Sequence, residues 1–105
     1  MNKFLMTILL VFIPSLGFTA PYVSPSDCEA IAGEFFTVAT LRDQGVPASE
    51  LLKQVEGESI AHKFYTYWVK TIYGSKADPE SIAMSFYVGC MAARGDIAQL
   101  MGQEV

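Results

Sequence analysis

The sequence has little charge, and positive charge is the scarcer kind. Charged residues make up 17% of its 105 positions, and 7 Lys and Arg stand against 11 Asp and Glu, a formal net charge of -4. A chain with this balance lacks the electrostatic footprint of a protein that grips a nucleic-acid backbone or an anionic membrane surface. Histidine occurs once, at His62, and cysteine twice, at Cys28 and Cys90, so no ligand set at a standard metal spacing can be assembled. There is no G-x-S-x-G elbow, no glycine-rich phosphate loop and no H-E-x-x-H pair, and His62 alone cannot anchor a catalytic triad. Neither an enzyme nor a cofactor or metal is expected. What the chain has in excess is apolar surface. Hydrophobic residues make up 51% of it, which excludes a disordered tail and, at this length, allows one domain.

Part of that excess lies at the N-terminus. Lys3 provides a short basic region, Phe4 to Ile13 is apolar apart from Thr7, and Pro14 breaks the run ahead of the small residues Ser15 and Gly17. This order is that of a secretory signal peptide over residues 1–17, leaving a single helical domain over 18–105. Cleavage after Gly17 puts Ser15 at the minus-three position. Cleavage after Ala20 is the alternative, and it would put the bulky Phe18 there and Pro21 just past the cut. A spanning helix needs about 20 apolar residues, more than this run holds, so no membrane attachment is expected once the segment is removed. Lys3 leaves with it. The remaining domain, expected in the periplasm or secreted, is more acidic still.

An exported domain of this size commonly adds a covalent cross-link to a modest core. Cys28 and Cys90, an even pair, read as one disulfide, and in the chain-entropy treatment a loop this wide contributes about 4 kcal/mol. A reactive thiol pair is the alternative, although the close C-x-x-C spacing favoured by redox sites is missing. The rest of the pattern is helical, with no segment of strand period. Ser26 and Glu29 have the spacing of a capping box for a first helix that runs to about Gln44, where Gly45 ends it. Pro47 opens a short second helix, Ala48 to Val55. A third, Ser59 to Tyr73, gathers Ile60, Ala61, Phe64, Tyr65, Trp68 and Ile72 on one broad face before Gly74. Asp78 and Pro79 cap and begin a fourth helix to about Arg94, and after Gly95 a tail follows in which Ile97, Leu100 and Met101 share a face. Cys28, Ala32, Phe35 and Ala39 form the apolar stripe of the first helix, and Ile82, Phe86, Gly89, Cys90 and Ala93 that of the fourth. Each stripe contains one cysteine, and small neighbours allow close approach. The expected fold is therefore all-α, a small four-helix bundle closed by one disulfide.

Some residues invite a functional reading. Arg42 continues the first helix's stripe, which aims its guanidinium at or near the core beside Asp43. It is either a structural ion pair, binding helix-terminal carbonyls and a carboxylate from another helix, or a site for an anion. His62 lies at the border of the third helix's polar face, a surface or boundary position. Tyr67 and Tyr73 also fall toward that polar side. Glu56 and Glu58 flank Gly57 with nothing apolar beside them to raise a pKa, and read as solvated. The best interaction candidate is a second stripe on the fourth helix, Met84, Tyr87 and Met91, set away from the cysteine face at spacings of three and four. Either the tail residues Ile97, Leu100 and Met101 fold back over it, or it is a surface for a partner.

The segments Cys28-Glu29-Ala30-Ile31-Ala32, Arg42-Asp43-Gln44-Gly45-Val46-Pro47 and Ile72-Tyr73, with Cys90 late in the last helix, together resemble a family of small exported bacterial proteins, mainly proteobacterial, that has no assigned activity. The resemblance covers nearly all of the chain after the N-terminal segment. It implies an exported helical domain in which Cys28 pairs with Cys90. In size and in its single disulfide the chain is also similar, as a class, to the acid-stress periplasmic chaperones of the HdeA type. Two functions are thus in contention. One is a non-enzymatic periplasmic binding protein that sets the Met84, Tyr87 and Met91 surface, with Tyr67, against another protein. The other is an acid-activated chaperone, whose carboxylates neutralise at low pH and leave a loosened, cationic chain exposing apolar faces to clients.

Overall fold

A computed structural model describes residues 22–102, so the expected signal peptide over 1–17 lies outside the described residues. Five helices follow one another: α1 (Pro25–Asp43), α2 (Ala48–Val55), α3 (Ile60–Tyr73), α4 (Pro79–Ala92) and α5 (Ile97–Leu100). Among the described residues there is no β-strand, only an isolated antiparallel bridge between Tyr22 and Asp96. None of these helices is long and apolar enough to cross a membrane. Four helices were expected, and the fifth is the tail itself. The Asp96 carboxylate accepts the Ala98 N–H at 3.1 Å and so caps a single turn.

The start of α1 differs from the expected one. Its capping box is Ser24 with Asp27, not Ser26 with Glu29: Ser24 Oγ accepts the Asp27 N–H at 3.1 Å, and the Asp27 carboxylate accepts the Ser24 N–H at 3.2 Å. Pro25 decides the register. Its ring holds φ in the helical range and it has no amide to leave unsatisfied, which suits it to the first helical position. Ser26 then falls inside the first turn, its hydroxyl 3.0 Å from that of Ser24. The other ends follow local chemistry as expected. Gly45 takes the left-handed conformation at φ 86, and the Val46 N–H closes back on the Leu41 carbonyl at 3.0 Å. Pro47 precedes α2, Ser59 caps α3 through the His62 N–H, and Asp78 caps α4 through the Ser81 N–H.

The longest helix, α1, lies at the centre, packed along α4 and against α3, while α2 packs on α3. Cys28 in the first turn of α1 is joined to Cys90 near the end of α4, so these two helices run antiparallel. The disulfide spans a sequence separation of 62 with its Cα atoms 5.8 Å apart, within the ordinary reach of such a bond. Of the expected stripes, Cys28, Ala32, Phe35 and Ala39 from α1 and Ile82, Phe86 and Cys90 from α4 are buried, while Gly89 of α4 and Ala93 just after it are half-buried. Phe35 is the hub of the core. Its ring centroid lies 4.8 Å from that of Phe86, 5.3 Å from Trp68 and 6.0 Å from both Phe64 and Tyr65, so three helices meet on one side chain. Truncating such a residue removes its transfer energy and leaves a cavity, together about 3–5 kcal/mol. The Tyr65 hydroxyl, at the edge of this cluster, donates to Glu34 Oε1 of α1 at 2.5 Å.

Candidate functional site

From Ser81 to Ala93 the chain has no charged residue, and this stretch is nearly all of α4. Its inner side, Ile82, Phe86 and Cys90, is buried. Its outer side is also apolar: Met84 is 61% exposed, Val88 60%, Met91 41% and Tyr87 37%. At 100° per residue these four fall on one strip opposite the buried face. A helix that is hydrophobic all round is normally covered all round, and this one is covered on one side.

The described part of the tail does not close over it. Ile97 and Leu100 turn into the core and Met101 is half-buried beside it. The chain reversal between α4 and α5 accounts for that direction. Arg94 and Gly95 are both left-handed, at φ 55 and φ 72, and the Gly95 carbonyl accepts the Val23 N–H at 2.9 Å. A Cβ on Gly95 would lie 2.0 Å from the Val23 carbonyl oxygen, so only glycine fits against this strand-like entry to α1. The tail therefore leaves on the core side of α4.

Met84, Tyr87 and Met91 thus lie together on an open face, and Val88, which the three-and-four spacing passed over, joins them. Its place at i+4 from Met84 was the available signal. Tyr67 is 36% exposed but belongs elsewhere. It lines an open groove of about 420 Å³ between α3 and the end of α4, together with Trp68, Gly89, Ala92 and Leu100, and no residue of the outer stripe borders that groove. Trp68 Nε1 is buried there without a hydrogen-bond partner among the described residues. A second hollow, about 250 Å³, lies over the disulfide between Val23, Pro25, Met91 and Arg94.

Arg42 is structural in its contacts, although its partners differ from those expected. Its side chain is 12% exposed. Nη1 donates to the carbonyls of Ile72 and Ser75, each at 3.0 Å, and Nη2 to that of Ala77 at 2.6 Å. The carboxylate it meets is its chain neighbour Asp43, with Nε 2.9 Å from Oδ1, and not one from another helix. The carbonyls are those at the end of α3, where Ile72 also accepts the Ser75 N–H at 3.1 Å, and in the loop beyond it. Such a guanidinium has little left with which to bind an anion. Beside it Tyr73, expected toward the polar side, is half-buried and donates its hydroxyl to the Val46 carbonyl at 2.6 Å. Burial pushes the Tyr73 phenol above its ordinary pKa, against the opposing pull of the Arg42 charge.

The remaining candidates are scattered. His62 sits at the boundary of α3 with its Nδ1 2.5 Å from Ser59 Oγ, and Glu56 and Glu58 are exposed. Among the described residues no three of His, Cys, Asp and Glu come together in a way that could hold a metal ion. No protein-family model matches the chain, and neither a curated protein nor a solved structure shows significant similarity to it.

Proposed function

We propose that this protein is an exported, non-enzymatic binding module, its helices packed as a disulfide-closed bundle, that engages another protein through the outer face of α4. The observation that carries this reading is the uncharged stretch from Ser81 to Ala93, with Met84, Tyr87, Val88 and Met91 left in water. Aromatic and methionine side chains are the residues enriched at protein interfaces, and methionine adapts to the shape it meets. Export is supported by the N-terminal order of Lys3, the apolar run and Pro14, and by a cross-link that persists in an oxidising compartment. Residues 1–17 then act as the signal peptide.

The test uses the full chain expressed in a bacterial host. The mature protein is expected in the periplasmic fraction with Phe18 as its first residue. A photoreactive side chain at Tyr87 is expected to trap protein adducts, and the same group at exposed Lys63 of α3 is not. Met84→Asp with Met91→Asp should abolish the adducts and leave the thermal midpoint unchanged. If position 87 traps nothing, or no more than position 63, the binding role of α4 is refuted.

A second reading, an acid-activated chaperone, is favoured by one specific arrangement. The starts of α1, α4 and α5 each depend on an aspartate, Asp27, Asp78 and Asp96, whose carboxylate accepts a backbone N–H. Bonds from Ser81 hold the Asp78 carboxyl below its ordinary pKa. With its pKa lowered, the Asp78 cap is released only in acid stronger than an ordinary aspartate needs, where the basic side chains keep their charge. Retention of native helicity there, with no suppression of client aggregation, would exclude this role.

A further inference from the structure

Along the outer face of α4 and into the turn after it, Glu80, Met84, Tyr87, Met91 and Arg94 recur at spacings of four, three, four and three. That is the seam of a coiled-coil heptad, apolar at its centre, with an acid at one end and a base at the other. The two charges are separated by roughly 20 Å of helix rise. Both are exposed, and neither makes an ion pair among the described residues.

We propose that the occupant of this face is a second copy of the same chain, packed with its α4 antiparallel about a twofold axis near Tyr87. The proposal rests on the binding role of α4 and names its partner. In that arrangement Met84 lies against Met91 of the second copy, Tyr87 lies beside Tyr87 and Val88 of the second copy, and Glu80 reaches Arg94 of the second copy at both ends. An isologous contact of this kind needs one patch that complements itself, and this stripe does so in one direction only. A parallel pairing would set Glu80 against Glu80 and Arg94 against Arg94. Two acidic chains repel over most of their surfaces, and the uncharged stretch from Ser81 to Ala93 is where they approach without that cost.

The backbone at Arg94 gives independent support. It is the one non-glycine residue at positive φ among the described residues, in the position after a helix where glycine is the usual choice. Helix-ending chemistry alone would favour glycine there. A long cation held at a strained position, with no carboxylate of its own, is accounted for by the carboxylate of a second copy.

The test uses the mature, disulfide-bonded chain in sedimentation equilibrium. A single helix face falls at the small end of stable interfaces, so a reversible dimer with a dissociation constant on the order of micromolar is expected. Glu80→Arg and Arg94→Glu, made singly, each set like charges together at both ends and should weaken the dimer about tenfold. The double variant restores opposite charges and should return the dimer to near its original strength. Arg94→Gly should keep or raise the thermal midpoint while weakening the dimer. A chain that stays monomeric at concentrations of about 1 mM overturns the proposal, and so does a double swap that fails to rescue. Photo-crosslinking separates this failure from that of the binding role. Tyr87 adducts of twice the chain mass support the second copy, adducts of other mass with a monomeric chain refute it alone, and no adducts refute both.

Discussion

The guanidinium of Arg42, in the last turn of α1, donates to the carbonyl oxygen of Ile72, near the end of α3, at 3.0 Å. The same group reaches the carbonyls of Ser75 and Ala77, so one side chain adds to the backbone cap of α3, where the Ser75 N–H also donates to Ile72, and ties down the loop beyond it. It also fixes where the loop into α4 begins. The core beneath it supplies burial, but burial sets no direction for a loop, and hydrogen bonds to three carbonyls spaced along it do.

Replacing Arg42 with alanine removes the donor that the Ser75 and Ala77 carbonyls share, leaves Ile72 with the Ser75 N–H alone, and should lower the unfolding free energy by about 2 kcal/mol. Arg42→Lys keeps the charge but has no planar fork to span three acceptors, and should recover less than half of the loss. Urea unfolding of the three proteins measures both. A loss below about 1 kcal/mol for the alanine variant would mean that water serves these carbonyls equally well.

The Cys28–Cys90 bond closes a loop of sequence separation 62 between helices already packed along their length. Its contribution lies mainly in the unfolded chain, whose freedom it restricts, and amounts to about 4 kcal/mol in the chain-entropy treatment. The double variant Cys28→Ser, Cys90→Ser is therefore expected to keep its helical circular dichroism in dilute buffer while its urea midpoint falls sharply. Loss of helicity without denaturant would show that packing between α1 and α4 depends on the bond for its formation.

Features decided within a few residues were legible in the sequence: Gly45 at its left-handed turn, Pro47 before α2, Asp78 and Pro79 at the start of α4. So were the two cysteine stripes, because a helical period needs no knowledge of the partner helix. The capping box of α1 was misplaced because Ser24 with Asp27 and Ser26 with Glu29 offer competing matches, and the deciding residue was Pro25. Contacts made across the fold left no local trace. Arg42 meets carbonyls 30 to 35 positions away, and Tyr73 meets Val46 across 27. Nothing in a spacing rule specifies a backbone acceptor, since every residue carries one. The candidate surface was legible in Met84, Tyr87 and Met91, but its openness depended on where the tail turned, and that was set by the close approach of Gly95 to Val23.

Among the described glycines, Gly95 is accordingly the one with the closest clash for an added methyl group. Gly95→Ala forces a Cβ within 2.0 Å of the Val23 carbonyl oxygen on a backbone at φ 72, so the turn, the entry to α1, or both must shift. The expected cost is at least about 2 kcal/mol, more than a left-handed alanine alone. Amide exchange provides the local readout: the Val23 N–H, which donates to Gly95, should lose protection while amides in the middle of α3 keep theirs.

Alkaline unfolding tests the pocket between α1, α3 and the corner after Gly45. The Tyr73 phenol has a folded pKa above its ordinary value because burial disfavours the phenolate, and as a phenolate it could no longer donate to the Val46 carbonyl. With the folded pKa raised, the contribution of Tyr73 to stability is complete below about pH 10, where the unfolded chain also keeps its proton. Above that the unfolded chain releases a proton that the folded chain retains, and stability falls until the folded pKa is passed. Tyr73→Phe removes the titrating group and the hydrogen bond together. It should cost about 1 kcal/mol at neutral pH and give a shallower decline of the urea midpoint as the pH rises above about 10 than the parent protein shows. Parallel declines would assign the alkaline sensitivity to other groups and remove the phenol from the account. The Arg42 charge beside the phenol works in the opposite sense, so Arg42→Ala should raise the folded phenol's pKa further and, with stability already lower at neutral pH, bring alkaline unfolding to a lower pH.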